Sequence, residues 1–122
     1  PDPQPEPGKY EALRQLSHDS AARLGDKDTA AGLSAAIMAV DATIERACEA
    51  GQCPGLDAAQ RMMVQGIESR LLVRPPASRG INWLDGWRKP VNDSLKQLNL
   101  RTVPEYRAAM RAAAVGLGEA AR

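Results

Sequence analysis

Apolar residues recur along this chain at alternating intervals of three and four, and runs of alternating β-branched residues are missing. That period belongs to helices with one buried face, not to strands. The longest uninterrupted example runs from Asp28 to Gly51, where Ala30, Leu33, Ile37, Val40, Ile44 and Ala47 form one seam. A helix of that length spans about 33 Å, the height of a small domain, so it predicts a central element around which the others pack.

Four further segments fit the same reading. A first helix is expected over Lys9 to Leu24, with Tyr10, Leu13, Leu16, Ala21 and Leu24 on one side and Gly25 ending it. Asp26 or Asp28 can cap the central helix, and Gly51 can terminate it. Asp57 and Gln60 have capping-box spacing before a third helix, Ala58 to Val73, that turns Met63, Ile67 and Leu71 inward. Gly66 within it predicts a close crossing with another backbone. Thr102 and Glu105 form a second capping box, opening a last helix over Val103 to Leu117 with Val103, Tyr106, Met110, Ala113 and Leu117 along its seam. Its period matches that of the central helix, so these two are expected to be neighbours.

Between them, residues 74 to 90 are the least regular part of the chain. A short helical turn is expected around Trp83 to Trp87, then a fourth helix from Pro90 to Leu98 that directs Val91, Leu95 and Leu98 inward. The fold class that results is all-α: a compact bundle of four to five helices with an irregular Trp/Arg-containing connection between the third and fourth. Residues 1 to 8, PDPQPEPG, read as a proline-rich flexible tether, and residues 9 to 122 as a single helical-bundle domain. No apolar run approaches the length of about eighteen residues that marks a membrane-spanning helix.

Composition sharpens this picture. Phe is absent and the only aromatics are Tyr10, Trp83, Trp87 and Tyr106. The core is therefore aliphatic and rich in alanine. The net charge of +1 is unremarkable, but its distribution is not: residues 1 to 60 carry five Lys and Arg against ten Asp and Glu, and residues 61 to 122 carry eleven against five. Interleaved antiparallel helices would pair the two signs. A basic face on the second half is the other outcome.

Cys48 and Cys53 are the only cysteines. On one unbroken helix they would be about 7.5 Å apart in axial rise alone, beyond the roughly 6.8 Å that a disulfide spans between Cα atoms. Gly51 and Pro54 break the helix there, so a turn between antiparallel helices lets the pair close. A structural disulfide in an oxidising compartment follows, with two reduced thiols in a cytoplasmic protein as the alternative.

Catalytic and metal signals are weak. His18, the one histidine, lies beside Ser17, Asp19 and Ser20, but consecutive residues on a helix point in different directions and form no relay. Asp41, Glu45 and Glu49 follow one another at four-residue spacing beside the central seam and read as a solvated face, without the Glu-x-x-His pairs of a helical di-metal site. No GxSxG, GxxxxGK, GxGxxG or HExxH occurs. No cofactor and no metal is called for.

Trp83 and Trp87 stand four apart with Arg74, Arg79, Arg88 and Lys89 around them, and tryptophan and arginine dominate many binding interfaces. These six are the candidate partner-binding residues. The competing use is core, since a chain without Phe has little other bulk and one tryptophan at least can plug the end of the bundle. The first functional expectation is a non-catalytic helical protein-binding module of the inhibitor, immunity or secretion and assembly adaptor type. It is expected to be exported to a bacterial periplasm or secreted. A second is a nucleic-acid-binding domain using the basic half, with Arg101, Arg107 and Arg111 along the last helix. A small helical enzyme is third. A homodimer is permitted if the seam of the last helix is exposed.

Overall fold

The fold was derived from a computed structural model, which describes residues 8–71 and 77–122, with residues 77–80 described as backbone alone. Most of the proline-rich segment, and Arg74, lie outside the described residues. Five helices make up the bundle: α1 (Glu11–Leu24), α2 (Lys27–Glu49), α3 (Leu56–Leu71), α4 (Ala77–Leu98) and α5 (Val103–Ala120). Each runs antiparallel to the one before it. α5 lies between α1 and α2, α3 covers the outer side of α2, and α4 covers the outer side of α1. No strand occurs among the described residues.

Local chemistry sets the helix ends. The Asp26 side chain accepts from the backbone N–H of Thr29 at 3.1 Å and caps α2, with Asp26 itself at φ 61. The α2 exit is a Schellman turn: Gly51 takes φ 79, the Gln52 N–H donates to the Ala47 carbonyl at 2.8 Å, and the Gly51 N–H donates to that of Cys48. Thr102 and Glu105 close their capping box at the start of α5 in both directions. The third helix starts at Leu56, ahead of the expected Ala58, so Asp57 falls inside its first turn, where its charge opposes the helix dipole favourably.

The seam of α2 is buried along Ala30, Leu33, Ile37, Val40 and Ile44, and that of α5 along Val103, Tyr106, Met110, Ala113 and Leu117. The two helices are antiparallel neighbours: Ser34 Oγ donates to the Ala114 carbonyl at 2.7 Å, and Asp41 meets Arg107 farther along. The α5 seam is thus consumed inside the bundle.

Two expectations are corrected. The helix expected to begin at Pro90 begins instead at Ala77 and runs through Pro90 without a break in assignment. Inward positions Trp83, Leu84, Trp87, Val91 and Leu95 keep one continuous three-and-four period across it. Burial of that face outweighs the roughly 3 kcal/mol that an interior proline costs. In α1, Ser17 and Ser20 are buried, whereas Leu24 is exposed and Leu16 only half-buried. Ser17 is acceptable there because its hydroxyl donates to the Ala113 carbonyl at 2.7 Å and accepts from Trp87.

Small residues let the helices approach. Gly116 of α5 lies against the backbone of Arg14 and His18 in α1, where a Cβ would overlap the Arg14 carbonyl oxygen. Gly66 of α3 meets the side chain of Val40 on α2, a close approach as expected, though to a side chain and not to backbone.

Candidate functional site

The two tryptophans, adjacent on one side of α4, both face α1. The indole N–H of Trp83 donates to the Gly25 carbonyl at 2.9 Å, and that of Trp87 to Ser17 Oγ at 2.9 Å. Their exposures are only 7% and 2%. Both rings are therefore core, the competing use of tryptophan in a chain without Phe. Arg88, next on the helix, turns toward α3 and donates through two nitrogens to Glu68 Oε1, each at 3.2 Å. Lys89 is exposed, and Arg79 stands in the first turn of α4. Trp83, Trp87, Arg88 and Lys89 therefore do not share one surface: the indoles face α1, Arg88 turns to α3 and Lys89 to solvent.

Polar chemistry elsewhere is also spent on the fold. Asp41, expected on a solvated face, is buried at 4% exposure. Its Oδ1 accepts from Arg107 Nε at 2.8 Å and its Oδ2 from Arg107 Nη2 at 3.3 Å and Arg111 Nη1 at 3.4 Å. Glu45 adds a second carboxylate 3.6 Å from Arg107. These contacts hold the Arg107 guanidinium more firmly protonated than usual, the hydrogen bond to Asp41 contributing most. Two of the three arginines proposed for a basic face are thus fastened to the acidic half of the chain. His18 Nδ1 pairs with Asp19 at 2.9 Å, but Ser17 points into the core, so these neighbours do not assemble a relay. Among the described residues, no three His, Cys, Asp or Glu side chains come together as a metal site.

Cys48 and Cys53 are joined in a disulfide. It spans the Schellman turn and ties the last turn of α2 to the segment entering α3. Such a bond fits an oxidising compartment. No helix among the described residues is long and apolar enough to cross a membrane.

What remains open is a groove between α3 and α4. These helices are held mainly by α2 and α1 respectively, and they face each other across the N-terminal part of α5. The Arg88 to Glu68 ion pair spans them toward one end. Beyond it the groove opens to about 380 Å³, with Val64, Leu95, Leu100 and Tyr106 as its apolar lining and Gln60, Asn92, Lys96 and Asn99 completing the wall. Val64 is 44% exposed, on a helix whose Ala59, Met63 and Ile67 are buried. Beneath lies a cavity of about 50 Å³ between Met63, Ile67, Trp87, Val91 and Met110. A third depression, of about 360 Å³, adjoins on the flank of α3, sharing Gln60 and Val64 and adding Asp57, Arg61 and Gln65. The volumes of the two larger depressions lie within the range of ligand sites, and an apolar lining with a few polar groups is their usual composition.

None of these groove residues was singled out for recognition from sequence. The available signal was Val64 itself, an aliphatic residue off the Met63, Ile67 and Leu71 stripe. Comparison of the chain with protein-family models, curated proteins and solved structures found no match.

Proposed function

We propose that this protein is a non-catalytic helical module that binds another protein, of the inhibitor, immunity or secretion and assembly adaptor type, and that it works after export, in a periplasm or outside the cell. The observation that carries this reading is the α3/α4 groove. Its walls are mainly helices, Val64, Leu95, Leu100 and Tyr106 alternate in its lining with Gln60, Asn92, Lys96 and Asn99, and Val64 projects there half-exposed. A groove between helices is a common way to receive a partner's segment. The disulfide supports the exported setting, since such bonds persist where the medium is oxidising.

The nucleic-acid reading loses support for a particular reason. Arg107 is held by Asp41 and Glu45, and the half-exposed Arg111 also pairs with Asp41, so the positive charge of this stretch is partly offset where phosphates would need it.

A photo-crosslinking residue placed at Val64 in the intact protein, in its native cells, tests the proposal. A discrete protein adduct from Val64, absent when the same residue replaces the exposed Ala22 on α1, is the expected result. No adduct from Val64, or the same products from both positions, would overturn it.

A further inference from the structure

The groove has unused polar chemistry beside its apolar lining. Tyr106 is 5% exposed and lines it from α5, yet its hydroxyl has no hydrogen-bond partner among the described residues. Burial pushes this phenol up to about 12, so it remains a neutral donor under all ordinary conditions. Lys96 lines the groove from α4 and makes no ion pair among the described residues, unlike Arg88 at the other end of the groove, which Glu68 engages. The side-chain amides of Gln60, Asn92 and Asn99 likewise have no partner among the described residues. Lys96 is the one charged side chain among the described residues that line the 380 Å³ groove, so its complement is a single negative charge.

We propose that the α3/α4 groove receives a segment of the partner protein in which an aliphatic side chain stands beside a carboxylate. The aliphatic group covers Val64, Leu95 and Leu100, the carboxylate accepts from Lys96 and from the Tyr106 hydroxyl, and the rim amides pair with the partner's backbone. A burial-driven anchor with one charge-assisted contact is how such segments gain both affinity and register. A peptide fits better than a compact small molecule because the concave surface continues across Gln60 and Val64 onto the flank of α3, where Arg61 and Asp57 add one charge of each sign. A nucleic acid fits worse, since a phosphate chain needs several cations and the groove holds one.

This inference rests on the protein-binding reading above and is tested separately from it. A phage-displayed library of random dodecapeptides is selected on the intact, disulfide-bonded protein, and the enriched peptides are synthesised and titrated. Enrichment of Leu, Ile, Val or Met next to Asp or Glu is expected. Lys96→Glu should weaken binding at least tenfold, and exchanging the peptide's acid for Lys should recover part of the loss. Val64→Glu should abolish binding and Tyr106→Phe should weaken it several-fold, while Arg23→Glu, on the exposed end of α1, leaves it unchanged. Native fluorescence of the buried Trp83 and Trp87 verifies that each variant is folded. The inference is overturned if no peptide is enriched, if the enriched peptides lack an acid, or if their binding ignores both Lys96→Glu and Val64→Glu. A protein adduct from Val64 whose crosslinked segment has no acidic and aliphatic pair would sink this inference and leave the protein-binding reading standing.

Discussion

Asp41 shows how much one side chain can decide. An isolated buried carboxylate loses several kcal/mol of hydration, which only close, hydrogen-bonded cations return. Arg107 supplies two nitrogens and Arg111 a third, and together they turn a charge that spacing places beside the core into a fastener between α2 and α5. Asp41→Asn keeps the shape, removes the charge and leaves Arg107, itself only 16% exposed, with Glu45 alone. Unfolding in urea should then show a loss of about 3 kcal/mol, near the lower end for breaking a buried pair. A loss below about 0.5 kcal/mol would mean that the cluster is solvated in solution. Sequence spacing showed that Asp41 and Glu45 share a side of the helix. It could not show that α5 covers the part of that side holding Asp41, because the covering residues are 66 and 70 positions away.

At the scale of the element, glycine placement separates helices that touch from helices that cross closely. Gly116 and Gly118 are two residues apart on α5, but only the first faces backbone, that of Arg14 and His18. A Cβ at Gly118 would meet Ser34 Oγ at 3.6 Å, an ordinary contact. Alanine favours a helix over glycine by about 1 kcal/mol, so Gly118→Ala should be neutral or stabilising by up to that amount. At Gly116 the same gain is opposed by overlap with α1, which cannot yield without shifting a helix, and overpacking costs about 1–3 kcal/mol. Gly116→Ala should therefore lower the melting temperature while Gly118→Ala does not. Equal behaviour of the two variants would show that α1 and α5 cross less closely. The helix ends were largely legible beforehand, since the Asp26 cap, the Gly51 stop and the Thr102/Glu105 box depend on atoms within a few residues. The start of α4 was not: Pro90 and Gly86 look like breaks locally, and only the continuing burial of Trp83, Trp87 and Val91 carries the helix through them.

For the molecule as a whole, stability should be unevenly spread. α5 is packed between α1 and α2, whereas α3 relies on α2, on the ion pair to Arg88 and on the disulfide at its entry. Closing so small a loop contributes about 2 kcal/mol in the chain-entropy account. Replacing both cysteines with serine should cost about that much and speed amide exchange in α3 well before α5, as hydrogen-exchange mass spectrometry would register. Uniform acceleration across all five helices would instead mean that the bundle opens only as one unit. The disulfide lies at the end of α2 that leads into the α3 wall of the groove, so the same variant is expected to bind the enriched peptides less tightly.

The hydrophobic period and the caps determined an all-helical bundle and most of its helical segments, and the cysteine spacing allowed a disulfide without deciding it against two reduced thiols, because each depends on residues that are close in the chain. Tertiary structure alone decided the use of the side chains. Trp83 and Trp87 became core because α1 offers Gly25 and Ser17 to their indole N–H groups, and Asp41 became buried because Arg107 and Arg111 close over it. The groove exists because α3 and α4 are drawn to different partners and leave Val64, Lys96 and the Tyr106 hydroxyl facing the space between them. A concavity is made by separations between elements, and those separations are set by packing across the whole bundle.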